Sequence, residues 1–235
     1  MPNERPMDLP ALDDGPPLSY AAARDRMVDG QVRPNKVIDP RVIRAMRSLP
    51  RERFVPPHLV SLAYADEDVP LPGGRALMEP MVIARLVQLA RARDGDRVLV
   101  VGAGSGYGAA LMAACGGVVT ALEQDRALLA IAWAVLPELA PAVTVVAGPL
   151  AAGWAHGAPW DVVLIEGAVR EIPPAIATQL RPGGRLVTVL AQHGGAGRGV
   201  LAEPVQPDGT LRAQPHFDCA TPLLAPLMVQ AGFRF

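Results

Sequence analysis

Three glycines, Gly102, Gly104 and Gly106, follow directly after an apolar run over residues 98–101. Because glycine has no side chain, such a turn lets the backbone approach a bound ligand closely. A single acid, Glu123, ends the next apolar run about 20 residues further on, the spacing of a ribose-binding carboxylate in a nucleotide fold. The turn and the acid together predict a site for the adenosine part of a cofactor.

Two cofactors compete for this site. The dinucleotide pattern GxGxx[GA] fits from Gly104, through Gly106 to Ala109, but it fails from Gly102, where Tyr107 takes the place of the third small residue. The form Gly-x-Gly-x-Gly resembles instead the first motif of S-adenosylmethionine (SAM) methyltransferases, which favours SAM over NAD. The predicted cofactor-binding residues are Gly102, Ala103, Gly104, Ser105, Gly106, Tyr107, Glu123 and Gly148.

The elements that position these residues alternate between strand and helix. Apolar runs predict strands over 97–101, 118–122, 143–146, 162–165 and 185–190, with helices over 109–114, 127–136 and 173–180 between them. Such alternation is typical of an α/β fold with a parallel, doubly wound sheet. After Gly194 we expect further strands, one of them antiparallel at the sheet edge.

The N-terminal part has helix signals of its own. Ser19 and the pairs Asp39-Pro40 and Glu79-Pro80 mark three helix starts, with a capping residue or a proline at the first position. Residues 1–17 contain five prolines and predict a flexible arm. The expected organisation is an arm over 1–17, a helical lid over 18–90 and a SAM-binding α/β core over 91–235, with 18–235 forming one structural domain.

Composition excludes several other classes of protein. With 22 basic and 23 acidic residues, the chain is not a globally basic nucleic-acid binder, and 4% aromatic residues do not suit a stacking platform for single strands. The uncharged stretch 98–122 is broken by glycines, and the charged N-terminus lacks a signal peptide, so we expect no membrane partner. Two cysteines favour a reduced cytoplasmic compartment, and four histidines without ligand spacing predict no metal.

Further segments on both sides of the glycine turn carry a resemblance to a known family. They are Met27 to Gln31, Ile38 to Val42, Ala45-Met46, Pro50 to Pro56, Ala63 to Asp66, Leu71-Pro72, Gly73-Gly74, Pro80, Trp160-Asp161 and Leu180 to Gly184. In this order they resemble the protein-L-isoaspartate O-methyltransferases, with the first segments similar to that family's N-terminal lid. The resemblance covers residues 24–190, and the tail beyond it matches poorly.

The resemblance implies a Rossmann-like SAM methyltransferase with a helical lid, acting in protein repair. Its acceptor is a peptide or protein with an isoaspartyl residue, whose free carboxylate takes the methyl group. The ester then closes to a succinimide that can reopen as aspartate. A carboxylate with a pKa of about 4 is already ionised at pH 7, so the transfer needs positioning and exclusion of water but no general base.

The sequence departs from the family where the acceptor should bind. The family's Gln-Thr-Ile-Ser followed by a residue and Pro is replaced here by Arg75, Ala76, Leu77, Met78 and Glu79 before Pro80. Both hydroxyls are lost, and each hydrogen bond to a charged group is worth about 1.5–3 kcal/mol. The candidate catalytic positions are therefore Met78, Glu79 and Arg75.

Arg75 has two possible roles at this stage. It is a bidentate donor for an acceptor carboxylate, or it pairs with Glu79 four residues away, and the pair is the favoured interpretation. A second departure concerns adenine, because Pro149 and Leu150 follow Gly148 where the family has Gly-Asp-Gly.

Three functions remain open from the sequence. The leading one is isoaspartyl carboxyl methylation. The others are a methyltransferase of the same fold with a different acceptor and a SAM-binding protein without catalysis, both favoured by Ala76 and Met78. The sequence leaves the oligomeric state open.

Overall fold

The computed structural model describes residues 19–192, 194–206, 208 and 210–228. The predicted arm over 1–17 lies outside these residues. None of the helices in the described residues combines the length and apolar character needed to cross a bilayer.

A seven-stranded sheet organises the described part of the chain. Its strands are β3 (Arg97–Val101), β4 (Val118–Glu123), β5 (Thr144–Ala147), β6 (Trp160–Val169), β7 (Leu180–Gln192), β8 (Gly195–Pro204) and β9 (Leu211–Cys219). They lie side by side in the order β5-β4-β3-β6-β7-β8-β9. The strands from β5 to β7 are parallel, and β8 and β9 are antiparallel to their neighbours. The predicted doubly wound α/β fold and the antiparallel edge are therefore confirmed.

The described residues of the N-terminal part form three α-helices, several shorter helical turns and a small hairpin. The helix starts predicted at Ser19, Asp39 and Glu79 are confirmed, and the side chains of Ser19 and Asp39 accept hydrogen bonds from the first turns that they cap. The elements are α1 (Tyr20–Met27), α2 (Pro40–Ser48), β1 (Val69–Leu71), β2 (Arg75–Leu77) and α3 (Pro80–Ala90).

The helices of the α/β part connect the strands. They are α4 (Tyr107–Ala114), α5 (Arg126–Leu139) and α6 (Pro174–Ala177). The predicted helix over 173–180 is thus shorter than expected, because Leu180 already pairs with Trp160 at the start of β7. Helix α5 is longer than the predicted 127–136, since Pro137 lies in its last turns and removes only one backbone donor there.

Apolar residues of the helices and the sheet pack into one hydrophobic cluster. It joins Met46 of α2 and Ile83 of α3 to Val98 and Val100 of β3, and all four are buried. The helical part and the sheet therefore share a core. Val69 and Leu77 of the β1–β2 hairpin belong to the same cluster, so the hairpin packs into this core as well.

The chain order of the strands creates a crevice at the carboxyl end of β3. Strand β4 lies on one side of β3 and β6 on the other, so the connections diverge at this point. Ligands of doubly wound sheets bind outside the carboxyl ends of the strands at such a switch point. The glycine turn, Glu123 and the end of β6 all lie here.

Candidate functional site

The glycine turn links β3 to α4. Gly102 has φ +72° and Gly106 has φ +102°, a backbone conformation that residues with side chains rarely adopt. The amide of Gly102 donates to the Leu122 carbonyl at 2.9 Å, which ties the turn to the end of β4. Ala103 and Tyr107 are buried beside it. The strand, turn and helix predicted from the glycine pattern are confirmed.

Glu123 lies at the end of β4, is 1% exposed and faces the glycine turn. Its Oε2 accepts from the Gly104 amide at 2.8 Å. Its Oε1 accepts from the amides of Gln124 and Asp125 at 2.7 and 3.0 Å. The carboxylate therefore lies against the glycine turn, as the sequence predicts. We call residues 102–106 together with Glu123 the cradle.

The partner of Glu123 is Arg75. The Arg75 Nη1 donates to both carboxylate oxygens of Glu123, at 3.1 and 2.9 Å, and the pair is buried. The favoured pairing of Arg75 with Glu79 is therefore wrong. A spacing of four residues brings two side chains together only on a helix. Arg75 lies in strand β2 and Glu79 is the N-cap of helix α3, so this spacing does not place their side chains side by side.

The turn before β2 explains how Arg75 reaches Glu123. A Cβ at Gly73 would lie 2.5 Å from Oδ2 of Asp125, so this turn approaches the end of β4 more closely than a side chain allows. Gly73 also has φ +68°. The hairpin is therefore held against the cradle, with Arg75 directed inward.

The replaced acceptor motif lines a narrow cleft beside the cradle. Ala76 and Met78 line a cavity of about 10 Å³ together with Glu166 of β6 and Leu224 of the C-terminal segment. Met78 is 1% exposed, and its carbonyl accepts from Nη2 of the buried Arg51 at 2.6 Å. The cleft wall therefore has an apolar surface at the two positions that lost hydroxyls.

Glu79 lies outside that cavity lining. It takes the N-cap position of α3, where its amide donates to Oδ1 of Asp68 at 2.8 Å. Partial burial raises the pKa of Glu79, and the neighbouring Asp66 and Asp68 raise it further. Its catalytic role stays a prediction, as do those of Met78 and Arg75.

Glu166 is a site residue that the sequence reasoning missed. It is 5% exposed at the carboxyl end of β6, and its Oε2 has no hydrogen-bond partner among the described residues. Between Leu164 and Ala168 the pairing of β6 with β7 is irregular, and such a bulge redirects a side chain. A signal was present in the sequence, since Glu166 directly follows the apolar run 162–165 and so lies at a predicted strand end.

Burial raises the pKa of Glu166 to about 8. Arg75 and Arg51 oppose this shift and Glu123 adds to it, but the loss of hydration dominates. The folded protein therefore binds one proton more than the unfolded chain between a pH of about 4.5 and 8. Stability from this group is present below that range and is lost as the pH rises through about 8.

Replacing Glu166 with glutamine should remove this pH dependence. Relative to the variant, we expect the wild type to lose roughly 4 kcal/mol of unfolding free energy between about pH 5 and pH 9. Urea unfolding of both proteins across this range measures the difference. Parallel curves for the two proteins would show that Glu166 titrates normally.

The remaining predicted cofactor residues lie around the same turn. Gly148 follows β5, and its amide donates to the Glu123 carbonyl at 3.0 Å. The Ser105 hydroxyl is buried without a hydrogen-bond partner in the described part of the chain. A carboxylate and an unpartnered hydroxyl beside the glycine turn suit the polar groups of SAM, so the residues fit this cofactor chemically.

The space for SAM beside the glycine turn is limited, because the side chains of Arg75 and Leu224 lie over Gly102.

Within the described ranges, no three side chains of His, Cys, Asp or Glu lie together as a metal ion would require.

The fold and the cradle define the class of Rossmann-like SAM methyltransferases.

Comparison with known proteins narrows this class. A sequence model of the family described as protein-L-isoaspartate(D-aspartate) O-methyltransferase matches residues 23–198. The chain therefore belongs to the protein-L-isoaspartate O-methyltransferase family, as the sequence resemblance predicted.

Individual relatives agree with this assignment. Protein-L-isoaspartate O-methyltransferase 1 of Rhodopseudomonas palustris is 40% identical over 179 residues, which are 76% of this chain and 72% of the relative. Protein-L-isoaspartate O-methyltransferase of Methylorubrum extorquens is 42% identical over 175 residues, or 74% of this chain and 77% of the relative.

Solved structures share the fold. A structure named protein-L-isoaspartate O-methyltransferase superposes with a TM-score of 0.72 at 24% identity. The match covers 85% of this chain but only 65% of that one. A Plasmodium falciparum chain assigned the same name, in complex with S-adenosyl-L-homocysteine, gives a TM-score of 0.70 at 16% identity, over 88% of this chain and 99% of that one.

Proposed function

We propose that this protein transfers the methyl group of SAM to the side-chain carboxylate of isoaspartyl residues in peptides or proteins. The observation that carries the proposal is the cradle of family type, with Glu123 buried beside Gly104 at the switch point of the sheet. The family assignment over residues 23–198 supports the acceptor class.

The chemical demand on the chain is modest. SAM supplies an electrophilic methyl group on a cationic sulfur when it is bound. The acceptor carboxylate is ionised at neutral pH, so the protein needs no base. Its contribution is to position the acceptor against the methyl group and to exclude water from the site. The apolar wall of Ala76 and Met78 excludes water beside the cradle, but it provides no hydrogen-bond donor for the acceptor.

We further propose that the reaction serves protein repair in the cytoplasm. Cys115 and Cys219 are both buried and unpaired. Burial raises the pKa of each thiol to about 11, which keeps both in the unreactive form. Unpaired buried thiols suit a reducing compartment.

Calorimetry combined with a product assay tests the proposal. We expect the protein to bind SAM and S-adenosyl-L-homocysteine, and to show no saturable binding of NAD. We also expect an isoaspartyl peptide to stimulate formation of S-adenosyl-L-homocysteine, while its aspartyl isomer does not. Micromolar NAD binding without SAM binding would overturn the cofactor, and equal stimulation by both peptides would overturn the acceptor.

A second candidate function is methylation of a neutral hydroxyl or amine, favoured by Glu166 in the wall of the cleft. A neutral acceptor loses a proton during transfer, and Glu166 can take that proton when it is ionised. Because burial raises the pKa of Glu166 to about 8, this activity should increase as the pH rises through about 8. Methyl transfer that requires Glu166 and does not occur on isoaspartyl peptides would support this second function over the first.

A further inference from the structure

Every hydrogen-bonding position of the cradle carboxylate is already in use. Glu123 accepts five hydrogen bonds, two from Arg75 Nη1 and one each from the amides of Gly104, Gln124 and Asp125. A carboxylate offers about four lone-pair sites. Two ribose hydroxyls can therefore bind Glu123 only after another donor leaves, and the three amides belong to the backbone of the cradle itself. The donor that can leave is Arg75.

Arg75 also closes the glycine turn. Its Nη2 donates to the Gly102 carbonyl at 2.6 Å, so one guanidinium joins both halves of the cradle. Only 5% of the Arg75 side chain is exposed. The charge is thus held in a buried site by its contacts with Glu123 and Gly102.

Leu224 fills the rest of the space above the turn. A Cβ at Gly102 would lie 2.9 Å from Cδ2 of Leu224 and 3.0 Å from Nη2 of Arg75. The space that glycine leaves free for a ligand therefore contains two side chains of this chain. We call Arg75 and Leu224 together the plug.

Backbone hydrogen bonds hold Leu224 in place. The Leu224 amide donates to the Ala168 carbonyl at 2.7 Å, and the Ala168 amide donates to the Pro222 carbonyl at 3.0 Å. The C-terminal segment thereby lies along the end of β6. The cavity left beside the plug has a volume of about 10 Å³, whereas sites for ligands of this size need roughly 300 Å³ or more.

We propose that the plug is an internal competitor of the cofactor, so that Arg75 sets the affinity for SAM by competing with the ribose hydroxyls for Glu123. This inference rests on the proposed function, because it takes SAM as the ligand of the cradle. In the open state, Arg75 and Leu224 have left the cradle and SAM can bind. The apparent dissociation constant then equals the intrinsic one divided by the fraction of molecules in the open state. Removal of either plug residue raises that fraction.

Titration of the full chain with S-adenosyl-L-homocysteine tests the proposal. We expect Arg75→Gln, which is shorter and neutral, to bind at least tenfold more tightly than the wild type. Leu224→Ala should also bind more tightly, because it clears the space over Gly102 without changing a charge. Leu224→Ala keeps the test decisive if Arg75→Gln does not fold.

The matched control is Arg185→Gln. Arg185 pairs with Asp96 at 2.7 Å and is also largely buried, but Asp96 precedes β3, at the opposite end of the sheet from the cradle. We expect this variant to lose stability and to keep the wild-type affinity.

Two further outcomes separate the inference from the proposed function. The proposed competition is wrong if the wild type, Arg75→Gln and Leu224→Ala bind with equal affinity, or if both plug variants bind more weakly. Either result would leave SAM as the proposed cofactor. Absence of binding in all three at millimolar ligand would overturn both, because the opened cradle would then not accept the adenosyl group.

Discussion

Replacing Glu123 with alanine is expected to lower the free energy of unfolding by about 3–5 kcal/mol, because the variant leaves the buried guanidinium of Arg75 without its counter-ion. Removal of one partner from a buried ion pair costs more than the pair itself contributes. Urea unfolding at neutral pH measures the loss.

The double variant Glu123→Ala with Arg75→Gln is the matched control. It removes both charges, so its loss of stability should be smaller than the sum of the two single losses by more than 1 kcal/mol, as expected for residues in contact. A cost below about 1 kcal/mol for Glu123→Ala alone would show that Arg75 is not held by this carboxylate in solution.

The second large effect concerns the acceptor cleft. We expect Ala76→Thr combined with Met78→Ser to raise the rate of isoaspartyl methylation by roughly ten- to a hundredfold for each restored hydrogen bond, at about 1.5–3 kcal/mol apiece. Both positions line the cleft, so the new hydroxyls would face it. Addition of Glu79→Gln should raise the rate further, because it removes a negative charge at the residue that follows Met78 in the chain. The measurement is the steady-state rate of methyl transfer to an isoaspartyl peptide.

A variant of the same shape without hydroxyls provides the control. Ala76→Val with Met78→Ala changes the cleft volume similarly but adds no donor, so it should leave the rate near that of the wild type. Met78 is buried, and its truncation will also lower stability in both variants. A fast wild type that the hydroxyls do not improve would mean that other groups hold the acceptor carboxylate.

The parts of the fold that the sequence predicted are those with local causes. The strand–turn–helix at Gly102 and the helix starts at Asp39-Pro40 and Glu79-Pro80 depend on residues within a few positions of each other. Glu123 could also be placed, because the carboxyl ends of neighbouring parallel strands meet at one edge of the sheet.

The occupant of the cradle could not be predicted in the same way. Arg75 reaches Glu123 across 48 positions, and this contact exists only because Gly73 lets the hairpin approach Asp125. Leu224 follows a tail with no motif, and its position depends on hydrogen bonds to Ala168. Glu166 was predictable in principle from its place at a strand end.

The most direct test of the central claim is mass spectrometry of a peptide that carries one isoaspartyl residue, after incubation with the wild-type protein and SAM. The claim predicts a gain of one methyl group at the isoaspartyl carboxylate, slow in the wild type and absent from the aspartyl isomer. A methyl group found at another position, or equally on both isomers, would contradict it.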